Sequence, residues 1–162
     1  MVASKRQHGF SLLEILISVI LVGLSITALV VASNSFTMAN GAGADLSTAE
    51  FLVEQIRELT AMLAVIDPQS ETTTFGPEEA GVASYDDVDD LNGADYSPPI
   101  GSNRTVLNDL AGFSQHIVVQ NVSPSNFNTV VANHGSNFVR ITATVSLNGR
   151  QISSASWIRA RY

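Results

Sequence analysis

The sequence predicts an α+β chain in which one long N-terminal helix packs against a small antiparallel β-sheet. Three observations predict it. The run from Phe10 to Val31 is apolar and contains no Lys, Arg or Asp. A second helical pattern follows, in which Leu46, Ala49, Leu52, Val53, Ile56, Leu59 and Leu63 recur at three- and four-residue spacing. Towards the C-terminus, apolar and polar residues alternate on either side of Asn148-Gly149, the strongest short hairpin signal.

The apolar run comes first. At helical rise it spans roughly 33 Å, enough to cross a hydrocarbon core about 30 Å thick. Lys5 and Arg6 precede it, and the next charge after Glu14 is Asp45. The positive-inside bias therefore places residues 1–9 in the cytoplasm and residues 32–162 across the membrane. Ser11, Ser18, Ser25 and Thr27 are expected to bond back to helix carbonyls. Asn40-Gly41-Ala42-Gly43 is expected to bend or interrupt the helix. The amphipathic pattern then carries the helix to residue 66, where Asp67-Pro68 ends it. Glu50, Glu54, Arg57 and Glu58 lie on its solvated faces, with Glu54 in reach of Arg57.

Residues 67–112 are rich in Asp, Glu, Gly, Pro, Ser and Thr and read as a connection with at most short elements. Gln115–Val122 is a β-branched strand, and residues 123–137 form a turn-rich loop. From Phe138 to Leu147, Val139, Ile141, Ala143, Val145 and Leu147 share one face. That is a half-buried antiparallel strand. Gln151–Tyr162 returns as a final strand carrying Trp157 and Ile158. The sheet therefore has three or four strands. The domain plan is a leader (1–9), a long helix (10–66, with 10–31 crossing the membrane) and a C-terminal globular domain (67–162).

Composition excludes several functions. The 162 residues hold 8 Lys and Arg against 15 Asp and Glu, a formal charge of −7. Removing residues 1–9 takes away Lys5 and Arg6 and no acid, so the remainder is more acidic still. A general nucleic-acid surface needs Lys and Arg in number and is not expected. The chain has no cysteine, which rules out a disulfide framework and a thiolate metal site. No nucleophile–base arrangement and no glycine-rich phosphate loop is visible, so the chain is not read as an enzyme.

One stretch carries a more specific signal: Lys5-Arg6-Gln7-His8-Gly9-Phe10-Ser11-Leu12-Leu13-Glu14, opening the apolar run. A secretory signal peptide is one reading, with Val30-Val31-Ala32 as its cleavage pattern. Against it, the run exceeds an h-region of about 7–15 residues and contains a glutamate. A plain single-pass anchor is another, with Glu14 tolerated near the interface by snorkelling. Neither accounts for Gly9, Phe10 and Glu14 together. Those residues resemble the cleavage and methylation signature of type IV prepilins, a short basic leader ending in glycine followed by Phe-Ser-Leu-Leu-Glu.

The resemblance covers residues 5–31 and implies a lollipop fold in which the first helix is both anchor and spine. It implies that a prepilin peptidase cuts between Gly9 and Phe10 and methylates the new amine of Phe10. It implies that Glu14 serves subunit assembly by pairing with a neighbouring subunit's N-terminal ammonium, compensating two buried charges and setting axial register. The implied partners are other pilin subunits and an inner-membrane assembly platform. The implied destination is an extracellular pilus used in adhesion, motility or surface attachment. A pseudopilin of a type II secretion system shares this N-terminus and is the alternative, beside a membrane-anchored binding protein. The chain departs from many pilins in lacking a C-terminal disulfide and a helix proline before Pro68.

The connection holds an acidic stretch, Tyr85-Asp86-Asp87-Val88-Asp89-Asp90-Leu91-Asn92-Gly93-Ala94-Asp95-Tyr96. No cofactor is expected, although its oxygen ligands make Asp87, Asp89, Asp90, Asn92 and Asp95 weak candidates for Ca²⁺. The EF-hand template fails, because Gly93 in the sixth position places Val88 in the first ligand site. The competing reading is a solvated acidic loop with Asp and Asn turn preferences. The stretch also resembles one in minor pilins of the mannose-sensitive haemagglutinin pilus and related modification-type pilins. Arg140, Arg150, Arg159 and Arg161 form the basic cluster and read as solvated strand positions or as an edge facing a neighbour's acidic loop. His116 and His134 are isolated.

Overall fold

A computed structural model describes residues 9–67 and 74–161. The chain is α+β: helix α1 (Leu12–Met62), then strands β1 (Asp95–Tyr96), β2 (Phe113–Ser123), β3 (Asn126–Val130), β4 (Phe138–Leu147) and β5 (Arg150–Ala160). Residues up to Gly43 and residues from Ala44 onward form two separate compact units. The boundary falls at the glycine pair, where the residues are nevertheless helical.

In the first unit, α1 opens at Ser11. The Glu14 amide donates to Ser11 Oγ at 3.2 Å and to Ser11 O at 3.1 Å. This is one arm of a capping box, Ser-x-x-Glu. Ser18, Ser25 and Thr27 donate to carbonyls four residues back, at 2.8, 2.8 and 2.9 Å. Their hydroxyls are thus satisfied inside the helix, as a lipid setting requires.

In the second unit, one stripe of α1 is buried: Ala49, Leu52, Val53, Ile56 and Leu59. It packs with Ile117 and Val119 of β2 and with Val139, Ile141, Ala143 and Val145 of β4. Leu46 was expected in this stripe but is 43% exposed, because it lies one turn before the helix meets the sheet. The helix also ends earlier than the proline signal suggests. After Met62 the chain leaves helical geometry so that Ala64 can pair with the connection: its amide donates to Asp86 O at 3.3 Å and its carbonyl accepts from the Val88 amide at 2.9 Å.

The sheet runs β1-β2-β4-β5, antiparallel throughout, and β3 pairs with the end of β2. It has five strands rather than three or four. β1 has two residues and β3 is exposed along its length, so neither carries the apolar alternation that marks a strand. Asn148 and Gly149 close the β4–β5 hairpin with φ of 50° and 80° between partners Leu147 and Arg150. Positive φ at both positions is the type I′ turn, which fits the twist of the strands. Ile152 is an extra residue where the register shifts beside Val145 and Ser146.

Two polar fasteners hold α1 to the sheet. Gln115 of β2 is fully buried. Its Oε1 accepts from the Ile100 amide at 2.8 Å, and its Nε2 donates to Leu52 O at 2.9 Å and to Ile100 O at 3.2 Å. At the other fastener, Trp157 Nε1 donates to Thr60 Oγ1 at 3.2 Å, and Arg159 donates to the carbonyls of Thr60 and Leu63. Those carbonyls belong to the helix C-terminus, which has no basic residue in its own last turn. Arg159 supplies the missing donor and a favourable charge for the helix dipole.

Replacing Gln115 by Leu orphans the Ile100 amide and a carbonyl in the core. We expect a loss of about 2 kcal/mol, which lowers the melting temperature by roughly 10 °C. Thermal unfolding of the detergent-solubilised chain measures it. A shift within about 2 °C contradicts the role given to Gln115.

Candidate functional site

Two regions hold the residues singled out in the sequence. The first is the start of α1. Gly9 and Phe10 precede the helix, and Phe10 is 79% exposed. Leu12, Leu13, Ile15, Leu16, Ile17 and the apolar side chains onward to Val31 are all exposed. α1 is long and apolar enough to cross a membrane, and its most apolar stretch is wholly unburied. Glu14 is exposed in the first turn, beside the free amides of the helix N-terminus. A carboxylate is favoured there by the helix dipole. The Ser-x-x-Glu spacing was the readable signal for this local role, which supplements the assembly role implied by resemblance. Lys5, Arg6 and the rest of the leader before Gly9 lie outside the described residues.

The second region is the acidic connection, which is not a solvated loop. Asp87, Asp89 and Asp90 are 1%, 3% and 1% exposed. Val88 among them and Leu91 just after them are fully buried, enter the core and take the acids with them. The carboxylates are used to close a tight turn. Asp87 Oδ1 accepts from the amides of Asp89 at 2.8 Å and Asp90 at 3.2 Å. Asp90 Oδ2 accepts in return from Asp86 at 3.0 Å and Asp87 at 3.3 Å. A 3-10 turn, Asp89–Leu91, follows from this reciprocal capping.

Burying several carboxylates together resists ionisation. Asp89 is pushed up to about 9, first by burial and then by hydrogen bonding to Asp87. Asp90 is pushed up to about 6 by burial and by hydrogen bonding to Glu79, against the lowering effect of a backbone amide. Carboxyl groups can bond to one another only when one of them carries a proton. Asp89 Oδ1, Asp90 Oδ1 and Glu79 Oε2 meet no N–H or hydroxyl donor among the described residues.

The structure divides the five Ca²⁺ candidates. Asp87, Asp89 and Asp90 share the buried turn. Asn92 turns to the sheet, where its Oδ1 accepts from the Val119 amide at 3.0 Å. Asp95 lies on β1 and pairs with His116 Nδ1 at 2.7 Å on an exposed face. The carboxylates that do converge are Glu78, Glu79 and Asp90, with one oxygen from each within 4.8 Å of the others. Glu78 and Glu79 were missed because they lie outside the dense Asp run, and only the fold returns them to it.

The remaining candidates are mainly structural. Arg159 binds the end of α1, and Arg140 donates to Gln120 Oε1 at 2.7 Å and Phe127 O at 3.3 Å. His134 has φ of 58°, and its ring stands edge-on to Phe75. Arg57 pairs with Glu54 at 3.1 Å on the surface, a contact worth little to stability.

Residues 4–30 match the family model of the prokaryotic N-terminal methylation motif. No curated protein and no solved structure matches the chain.

The two ends of the acidic stretch should behave differently on substitution. Asp87→Ala orphans two amides and is expected to cost about 2 kcal/mol. Asp95→Ala removes an exposed pair and is expected to cost under about 1 kcal/mol. Paired denaturation curves test the ranking, and equal losses contradict the capping role of Asp87.

Proposed function

We propose that this chain, which carries the N-terminal methylation motif of type IV prepilin-like proteins, is a minor subunit of a type IV pilus. It is cut between Gly9 and Phe10 by a prepilin peptidase, methylated on Phe10, and drawn from the inner membrane into an extracellular filament serving adhesion, motility or surface attachment. One observation carries the reading. The methylation motif coincides with a helical stretch, Leu12 to Val31, whose apolar side chains are exposed among the described residues.

Such a segment has two stable surroundings, lipid tails and the apolar helices of neighbouring subunits. Glu14 is the residue that distinguishes them. Alone in hydrocarbon an ionised carboxylate is costly. Beside a neighbour's N-terminal ammonium, the two buried charges compensate each other. A gain on passing from lipid to filament favours assembly and fixes the axial step between subunits. The basic leader opposes it until removed, because the amine of Phe10 exists only after the cut. The role is structural rather than catalytic. The likeness of the acidic stretch to minor modification-type pilins supports the minor assignment over a shaft subunit.

The test is Glu14→Ala. Membrane insertion should be unchanged, because the apolar run is kept. Incorporation into sheared surface filaments should fall by about tenfold or more, as expected for loss of one buried charge pair. Immunoblotting of membrane and filament fractions reads both quantities. Normal incorporation removes the register argument. Recovery with a secretion apparatus instead of filaments assigns the chain to the pseudopilins.

A further inference from the structure

We propose that Glu78, Glu79 and Asp90 form a Ca²⁺ site that ties the first part of the acidic connection to its own buried turn. The proposal does not depend on the pilus reading. Three carboxylate oxygens converge within 4.8 Å, from an exposed, a half-buried and a buried residue. Two oxygens on opposite sides of one Ca²⁺ lie about 4.6–5.2 Å apart, so the spread of the three oxygens is that of a Ca²⁺ ligand set. Mg²⁺, with ligands at about 2.1 Å, needs a tighter set.

The second observation is a group of buried oxygens that no N–H or hydroxyl donor reaches among the described residues. Asp90 is 1% exposed. Its Oδ2 is engaged by the amides of Asp86 and Asp87, which leaves Oδ1 on the side of Glu79. Asp90 Oδ1 and Glu79 Oε2 are buried with no N–H or hydroxyl donor, so that the Asp90 and Glu79 carboxyl groups have only each other on this side, and Tyr96 Oη is buried without a partner. Tyr96 lies within electrostatic reach of Asp90, as does Tyr85. Neither Glu79 nor Asp90 is paired with a Lys, Arg or His among the described residues. Buried polar atoms are nearly always satisfied, and several orphans around one point call for a missing cation or proton. A divalent cation satisfies both carboxylates at once. The pKa values of Asp90 and its neighbour Asp89 are raised by burial first and then by hydrogen bonding to a neighbouring carboxyl group.

The site has a mechanical consequence. The connection leaves α1 and returns to the sheet through the turn at Asp90. The chain has no cysteine to staple it. A cation held by Glu78 and Glu79 on one side and Asp90 on the other performs that closure.

The full chain in detergent, stripped with EGTA, is titrated with Tb³⁺ under tyrosine excitation and then with CaCl₂. Saturable luminescence at one ion per chain, displaced by Ca²⁺, is expected, together with a higher melting temperature in Ca²⁺. Glu79→Gln should weaken Ca²⁺ binding by about tenfold or more, since one charged ligand is lost, and should raise the melting temperature in EGTA by relieving repulsion. Exposed Glu78→Gln gives a second, milder variant that does not disturb the core. Glu50→Gln, on α1, should change nothing. Absence of saturable binding up to about 1 mM, the weak end for extracellular Ca²⁺ modules, overturns the site. So does Ca²⁺ affinity unaltered in both Glu78→Gln and Glu79→Gln.

Discussion

An apolar helix surface left bare among the described residues is the constraint on which the rest depends. From Leu12 to Val31 every large apolar side chain of α1 is about half exposed or more. Water penalises such a surface by roughly 25 cal/mol per Å² of apolar area. The segment therefore needs lipid or other apolar helices around it. Everything polar within it is arranged for that setting. Serine and threonine hydroxyls bond to their own helix. Glu14 sits in the first turn, where the helix dipole eases its charge.

The second unit solves a different problem, building a stable fold from modest apolar area without a disulfide. It uses one stripe of α1 as half of its core and lays β2 and β4 against it. Polar groups are then spent at the seams. Gln115 joins helix, sheet and connection in one side chain. Arg159 and Trp157 reach from the edge strand to the carbonyls and hydroxyl at the helix end. The acidic turn does the same at the other seam, with Asp87 and Asp90 capping each other's backbone. Each contact replaces water that burial has excluded, so removing one partner costs more than the bond itself contributes.

The features legible in the sequence were those with a period or a fixed motif. The membrane-length run, the stripe from Ala49 to Leu59, the alternation along β4 and the Asn148-Gly149 turn each follow a local rule and appear where that rule places them. What stayed hidden depends on contacts distant in sequence. A glutamine such as Gln115 looks like any polar strand residue until Leu52 and Ile100 are brought beside it. The Asp run looks solvated until Val88 and Leu91 draw it into the core. β1 and β3 are held by their partner strand rather than by their own composition. In the acidic stretch the residue types were legible, but their grouping was not. Asn92 and Asp95 face other partners, Asp87 and Asp89 lie in the buried turn, and of the five only Asp90 converges with Glu78 and Glu79.

The central claim is that one helix is made for lipid first and for like helices afterwards, with the change licensed by exposing a new amine at Phe10. Its most direct test is the intact mass and N-terminal sequence of the chain recovered from membranes and from sheared surface filaments. The account predicts a chain beginning with N-methylated Phe10 in both fractions. A chain that retains Met1, or one that begins at Ser33 and is found in neither membrane nor filament, contradicts it.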